Sequence, residues 1–200
     1  MSTILCIDTA SDAFALAADR DGTVRSVEVD GGHDHSRLLL PAIGDLIGGE
    51  RPAAILVVIG PGAYAGIRVG IATAEGLSLS YGVPVYSIGT LEAAALAAGR
   101  ASALVIHPAG RGEFATQEFR GANASGNPRL SGPDGLAGQP LVGEGAGELG
   151  GREVGPRERC EAALRDRAPK IRAGTLESGA EAFYLREPSI TLSRRQQAAS

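Results

Sequence analysis

A strand, turn, helix and strand pattern at residues 55–88 constrains the fold more than any other part of the sequence. The first strand is continuously apolar, a glycine-rich turn follows at 60–66, and the helix carries Gly66, Gly70 and Ala74 at intervals of four. A strand that is apolar on both faces belongs inside a covered parallel sheet. A helix row without bulky side chains lets another helix backbone come close. We therefore expect this row to be an exposed docking surface for a partner.

Hydrophobic periodicity predicts the order β-β-β-α-β-α-β-α for the first half of the chain. The predicted elements are strands at 3–7, 13–18, 23–29, 54–59 and 83–88 and helices at 35–47, 66–81 and 90–98. The first three strands form an antiparallel meander, and the strand-helix-strand units pair in parallel. Pro41 predicts a kink or a later start in the first helix. This order matches an α/β ribonuclease-H-like fold with a mixed sheet and helices on both faces.

A weak internal repeat predicts a second lobe built like the first. The segment 5–7 recurs at 104–106, and each copy is followed by a strand with a Phe-Ala pair, which begins at Phe14 and at Phe114. We divide the chain into an N-terminal lobe at 1–100 and a smaller, degenerate lobe at 101–200. In the second lobe we expect strands near 129–131 and 140–143, a helix at 156–167 and an extended arm at 183–186, with a Gly- and Pro-rich segment at 121–157.

Composition argues against independent nucleic-acid binding. The formal net charge is −4, the pI is about 5.4, and the chain has no Trp and only four Tyr and four Phe. Basic patches and stacking aromatic residues are therefore scarce, so any RNA contact needs a partner. The sequence shows neither a signal peptide nor an apolar run long enough to span a membrane. We expect a cytoplasmic protein, because its two cysteines, Cys6 and Cys160, are too few for a disulfide framework and suit a reduced cytosol. The cysteines are also isolated, which excludes zinc binding by cysteines.

Two short segments are candidate nucleotide contacts. Asp8 and Thr9 follow the first strand, where two-lobed kinases and ATPases carry an acidic residue. Gly60 and Gly62 lie between a strand and a helix, where backbone amides favour an anion. The turn is not a Walker loop, because no Lys-Ser/Thr pair follows. Turns that serve only close packing are the favoured interpretation of both segments, and nucleotide binding stays open as the alternative.

The sequence lacks the residue patterns that are typical of a metal site or of a serine nucleophile. His33 and His35 are two residues apart, whereas helical metal ligands usually stand four apart with a third ligand nearby. A G-x-S-x-G elbow is missing, so a protease related to the glycoprotease-like proteins has no nucleophile. We predict no catalytic residue and no metal site.

Several motifs together resemble the TsaB/YeaZ family, whose members are bacterial subunits of tRNA threonylcarbamoyladenosine biosynthesis. They are 4–9, His35-Ser36, Leu39-Leu40-Pro41, the run from Gly60 to Gly70, Thr73-Ala74, Gly76-Leu77 and 90–92, with weaker matches at 110–113 and 184–186. The resemblance implies a two-lobed fold of the actin-like ATPase and sugar kinase superfamily, in which the chain is an inactive homologue of TsaD. His107 departs from the Asp usual in the family, and Ala63 and Ala65 replace hydroxyl residues.

The resemblance also implies a function. The chain is expected to be a non-catalytic partner of a TsaD-like catalytic subunit and a TsaE-like ATPase. Their complex transfers threonylcarbamoyl to N6 of adenosine 37 in tRNAs that read codons beginning with A. No cofactor is expected, because ATP and tRNA are bound only through the complex. The alternative is a degenerate ATP-binding protein or kinase of the same superfamily.

The family pairs through the helices at 35–47 and 66–81, which can also form a homodimer. Together with the small-residue row, this predicts a set of partner contacts. The predicted contacts are Ser36, Leu39, Leu40, Ile43, Gly66, Arg68, Gly70, Ile71, Thr73, Ala74 and Leu77. Arg68 has two possible roles, in which it either holds the carbonyls of the preceding loop or reaches a partner's carboxylate.

Overall fold

Two five-stranded sheets form the framework of the protein. The structure, a computed structural model, describes residues 2–32, 34–99 and 102–185. The strands are β1 Thr3–Asp8, β2 Ala13–Arg20, β3 Thr23–Asp30, β4 Ala54–Val58, β5 Val85–Ile88, β6 Ala103–Pro108, β7 Phe114–Arg120, β8 Asn123–Ser131, β9 Leu141–Gly143 and β10 Arg152–Glu153. The helices are α1 His35–Ile47, α2 Tyr64–Tyr81, α3 Thr90–Ala97 and α4 Pro156–Arg172, with 3₁₀ turns at Pro133–Leu136 and Gly147–Leu149.

The second sheet repeats the topology of the first. The strand orders are β3-β2-β1-β4-β5 and β8-β7-β6-β9-β10, and in each sheet an antiparallel meander adjoins two parallel strands. Asp8 pairs with Ala15 in the first sheet, and His107 pairs with Ala115 in the second. Asp8 and His107 therefore occupy equivalent positions. The predicted two-lobed fold with mixed sheets is confirmed.

Strand β1 is covered on both faces, which explains why all of its residues are buried. Side chains alternate between the two faces of a strand. Cys6 and Asp8 contact α4, whereas Thr9, just past the strand, lies against α2. The central position of β1, with helices on both sides, accounts for its apolar sequence.

The last helix of each repeat packs on the other sheet. Helix α3 follows β5 but packs on β6 and β9, and α4 follows β10 but packs on β1, β2 and β3. The two helices also contact each other. In the second sheet the connections that correspond to α1 and α2 hold only the two 3₁₀ turns, throughout the described range 102–185. The second lobe is smaller because these outer helices are missing from it.

Most predicted boundaries differ from the structure by a few residues. Helix α1 begins at His35 and continues through Pro41, so a later start at the proline is wrong. Strand β8 is longer than predicted. Helix α4 extends past the predicted end to Arg172. The predicted arm begins as an extended segment, in which the amide of Phe183 donates to the carbonyl of Ile59 at 2.9 Å; its last residue lies outside the described residues.

The small-residue row of α2 is sealed by the chain itself. A Cβ at Gly66 would overlap the carbonyl oxygen of Thr9, and a Cβ at Gly70 would overlap the Thr9 hydroxyl. Ala74 is fully buried in the main core. The prediction that this row is an exposed docking surface is therefore wrong. The glycines are needed because the turn after β1 lies directly against the helix.

Two glycines of α2 should respond oppositely to the same substitution. Gly70→Ala places a methyl group against Thr9, and we expect it to lower the free energy of unfolding by about 1–3 kcal/mol. Gly76→Ala is the matched control, because a Cβ there has no atom within 4 Å. We expect it to raise stability by about 0.5–1 kcal/mol through helix propensity. Urea denaturation measures both, and equal effects would contradict the packing of Thr9 into α2.

Candidate functional site

A buried ionic cluster joins the two lobes. Arg159 of α4 is fully buried and its guanidinium group donates to three side chains. Nε donates to Asp8 Oδ2 at 2.8 Å, Nη1 to Glu144 Oε2 at 2.7 Å, and Nη2 to Ser11 Oγ at 2.7 Å. Asp8 and Ser11 belong to the first lobe and Glu144 to the second. One side chain thus ties the turn after β1 to the turn after β9.

The cluster forms where the two repeats face each other. Asp8 ends β1, and Glu144 immediately follows β9. The second oxygen of Asp8 accepts the Ala10 amide at 3.0 Å, which fixes the turn after the strand. A buried charge is costly unless it is paired and hydrogen-bonded. Burial alone would lower the pKa of Arg159, but the Asp8 and Glu144 carboxylates outweigh it and raise that pKa.

His107 lies against this cluster as a neutral ring. Its Nε2 donates to the Ala10 carbonyl at 3.2 Å, so the lone pair is on Nδ1. Nδ1 has no hydrogen-bond partner and lies 3.7 Å from Glu144 Oε2. Burial and the Arg159 charge lower the pKa of His107 from 6.5 to about 4. His107, at the position of the second lobe that is equivalent to Asp8, therefore adds no further negative charge to the cluster.

Glu144 remains ionised although it is largely covered. Burial would raise its pKa, but its neighbours hold the pKa below the ordinary value. Because His107 is neutral near pH 7, we attribute this lowering mainly to Arg159 and to the Ser11 hydroxyl, which donates to the same carboxylate oxygen. Neither Asp8 nor Glu144 is a free carboxylate.

The predicted nucleotide contacts come together at the end of β1, where their own chain engages them. A Cβ at Gly62 would overlap the Ala10 carbonyl, which also accepts the Ala63 amide at 2.7 Å. Gly60 has a φ of +108° and its carbonyl accepts the Thr90 amide at 2.9 Å. These contacts favour the close-packing interpretation. A nucleotide role for Asp8, Thr9, Gly60 and Gly62 stays a prediction.

A cavity of about 610 Å³ separates the lobes beside the cluster. It is lined by the turn after β1, the turn that leads into α2 together with Tyr64, the turn after β6, and Tyr184. The rings of Tyr64 and Tyr184 lie 4.9 Å apart. Arg68 lies 5.4 Å above the Tyr64 ring and donates to its hydroxyl at 2.7 Å. Arg68 thus binds Tyr64 and not the loop carbonyls, which rejects one of its two predicted roles.

The cysteines are not isolated, contrary to prediction. Cys6 of β1 and Cys160 of α4 are both buried, with sulfur atoms 3.4 Å apart. They are 154 residues apart in sequence, so only the crossing of α4 onto the first sheet brings them together. Among the described residues, no group of three or more His, Cys, Asp or Glu side chains could hold a metal ion. His35 is buried and its Nε2 donates to the Asp12 carbonyl at 2.7 Å, whereas His33 lies outside the described residues.

The predicted partner contacts divide into accessible and buried residues. Ser36, Leu40 and Arg68 are exposed, and Thr73 and Leu77 are half-buried. The prediction is wrong for side chains that face the core, which are Leu39, Ile43, Gly66, Gly70, Ile71 and Ala74. Part of the accessible surface of α1 and α2 is a set of residues that we call the outer helix face, formed by Ser36, Leu40, Arg68, Ala72, Gly76 and Leu79. Other exposed residues of these helices include Arg37, Asp45 and Glu75.

Comparison with known proteins supports the resemblance. Residues 31–127 match the family model described as TsaD, tRNA N6-adenosine threonylcarbamoyltransferase. The tRNA threonylcarbamoyladenosine biosynthesis protein TsaB of Escherichia coli is 33% identical over 102 residues, which cover 48% of this chain and 44% of that protein. TsaB of Bacillus subtilis is 30% identical over 129 residues, which cover 60% of this chain and 56% of that protein. The chain is therefore similar to members of the TsaB/YeaZ family.

The fold agrees with this similarity. YeaZ from Pseudomonas aeruginosa superposes with a TM-score of 0.70 at 22% identity, covering 86% of this chain and 94% of that one. The chain spans about half the length of the curated TsaB relatives it matches. Among the described helices, none combines the length and apolar character needed to cross a membrane.

Acid should destabilise the protein through His107. Its folded pKa of about 4 lies below the ordinary 6.5, so the unfolded chain binds more protons between these values. The free energy of unfolding should therefore fall as pH drops from 6.5 to 4, by up to about 3 kcal/mol from this group. His107→Gln retains a donor for Ala10 but does not titrate, so its stability should fall less steeply. Urea denaturation across this range measures the difference, and parallel curves would contradict a buried neutral histidine.

Proposed function

We propose that this chain is the partner subunit of a TsaD-like catalytic subunit in tRNA threonylcarbamoyladenosine biosynthesis. The reaction is threonylcarbamoyl transfer to N6 of adenosine 37 in tRNAs that read codons beginning with A. A TsaE-like ATPase completes the complex, which acts in the cytoplasm. The observation that carries this proposal is the similarity to TsaB proteins over about half of the chain, together with the TsaD family model that matches residues 31–127, which contain α1 and α2.

The interlobe charges support a role without catalysis. A general base or a metal ligand needs a carboxylate whose lone pairs are available. Asp8 and Glu144 are instead both bound by Arg159, and Asp8 also accepts a backbone amide. Breaking these contacts would leave buried charges unpaired, at a cost of several kcal/mol. The chemistry is therefore assigned to the partner, and tRNA and ATP are bound through the complex.

The outer helix face is the proposed docking surface for the TsaD-like subunit. Leu79 is 86% exposed and Leu40 is 54% exposed. Large apolar side chains are common at the centre of protein interfaces, where their burial provides binding energy. Gly76 has open space beside it, so a partner helix can approach the backbone there. Because a homodimer through the same helices would cover this face, self-association and partner binding should compete.

Charge on the outer helix face should prevent partner binding without unfolding the chain. We expect Leu40→Asp and Leu79→Asp each to weaken association with the TsaD-like subunit at least about 10-fold, because each buries an unpaired carboxylate. Ala137→Asp, exposed in the second lobe, is the matched control and should bind normally. Calorimetric titration measures affinity, and thermal denaturation confirms that each variant is folded.

Transfer assays connect docking with activity. The TsaD-like and TsaE-like subunits should modify tRNA only when this chain is added, and the two Asp variants should support less transfer. Undiminished binding by both variants would refute the docking surface while leaving the family role intact. Full transfer without this chain would refute the role itself.

Nucleotide binding by the chain alone is the alternative function, favoured by the interlobe cavity beside the first residues of α2. Backbone amides at a helix N-terminus attract anions. We expect no saturable heat on titration with MgATP, because the carboxylates of Asp8 and Glu144 oppose a polyphosphate beside them. Saturable binding that Gly62→Ala abolishes in a folded variant would instead support the degenerate ATP-binding protein.

A further inference from the structure

The two cysteines of the chain meet in its core. The sequence contains only Cys6 and Cys160, and their sulfur atoms are 3.4 Å apart. Both side chains are fully buried, Cys6 in the middle of β1 and Cys160 in α4. This distance leaves no room for another atom between the sulfurs. The contact therefore joins the first strand of the chain directly to its last described helix.

We propose that Cys6 and Cys160 are an oxidisable dithiol that closes to an intrachain disulfide and fastens α4 to β1. A disulfide requires a sulfur–sulfur distance of about 2.05 Å, so the sulfurs must approach each other by roughly 1.4 Å. Rotation about the two side-chain torsions, with a small shift of the helix, supplies that movement. The strand is fixed on both sides by its neighbours β2 and β4, so the adjustment falls mainly on α4.

A peroxide is the class of oxidant that fits this buried position. One thiolate attacks hydrogen peroxide, forms a sulfenic acid and releases water after protonation. The second thiol then attacks the sulfenic sulfur, forms the sulfur–sulfur bond and releases a second water. Overall, two thiols and one peroxide give one disulfide and two waters. A small uncharged oxidant can enter during brief openings, whereas a bulky disulfide reagent needs wider access.

The surroundings make this reaction slow in the closed state. Burial and the neighbouring Cys6 sulfur raise the pKa of the Cys160 thiol well above its ordinary value. Its sulfur also lies 3.5 Å from the Ala15 carbonyl, which accepts from the thiol. Since the thiolate is the nucleophile, oxidation should accelerate at alkaline pH.

The disulfide would reinforce the same helix that carries the ionic cluster. Cys160 directly follows Arg159, so a covalent link to β1 holds the guanidinium group near Asp8. The bond would also close a loop that contains most of the chain, and such closure restricts the unfolded ensemble. Oxidation should therefore stabilise the fold.

Mass spectrometry of the oxidised protein tests the proposal. Folded, reduced protein is treated with hydrogen peroxide at alkaline pH, then denatured and alkylated with N-ethylmaleimide. We expect loss of two hydrogen atoms, no alkylation, and one tryptic species that links the Cys6 peptide to the Cys160 peptide. Thermal denaturation should show a Tm higher by roughly 5 °C or more, reversed by dithiothreitol.

Single variants and unfolded protein provide the controls. Cys6→Ala and Cys160→Ala each leave one thiol, so neither can lose two hydrogen atoms within one chain. Urea-unfolded protein exposes both thiols to peroxide, but it should give a smaller share of intrachain disulfide among its oxidation products, because its cysteines rarely meet. The proposal is overturned if the folded protein keeps two alkylatable thiols, gives only separate sulfinic or sulfonic acids, or gives no larger share of intrachain disulfide than the unfolded chain.

Discussion

Arg159 is the residue on which the arrangement of the lobes depends. Its guanidinium group reaches from the last described helix to the end of the first strand and to the turn after β9. A fully buried charge is tolerated only when its donors are satisfied by well-placed acceptors. Asp8 and Ser11 supply acceptors from the turn after β1, and Glu144 supplies one from the turn after β9. The lobes cannot separate without exposing or unpairing this group.

The ionic cluster around Arg159 has a structural role, whereas recognition of a partner depends on a different surface of the molecule. The cavity between the lobes lies at the ends of the central strands β1, β6 and β9. A neutral histidine lies there, with two carboxylates that share one guanidinium group. The accessible residues of α1 and α2 instead combine apolar or small ones, such as Leu40, Gly76 and Leu79, with charged ones such as Arg68 and Glu75. Such a surface suits contact with another protein better than it suits chemistry.

Local features of the fold could be predicted from the sequence, and long-range features could not. Alternating and helical apolar patterns depend on neighbouring residues, so α1 and the first meander were predictable to within a few positions. The row at Gly66 and Gly70 correctly predicts a close approach, but a sequence pattern cannot tell whether the approaching backbone is its own chain or another. Thr9 of the same chain occupies the space beside Gly66 and Gly70. The accessible residues lie on a neighbouring face of α2, which includes Gly76.

The contacts of α4 were the least predictable part of the site. Arg159 is one of several arginines in that helix, and nothing in its neighbourhood marks it as the buried one. Cys160 had no visible partner because Cys6 lies 154 residues away. Both contacts follow from the passage of α4 back to the first sheet, which the repeat at 5–7 and 104–106 does not reveal.

The most direct test of the account removes the charges of the ionic cluster together. The triple variant combines Asp8→Asn, Glu144→Gln and Arg159→Met. The side-chain amide introduced at position 8 can still accept a hydrogen bond from the Ala10 backbone amide, and no buried charge is left unpaired. Threonylcarbamoyl transfer to tRNA is then measured with the TsaD-like and TsaE-like subunits. If the cluster only holds the lobes together, a folded triple variant that binds its partner supports transfer at the unmodified rate. A folded, partner-bound variant that supports no transfer would show that these charges take part in the reaction.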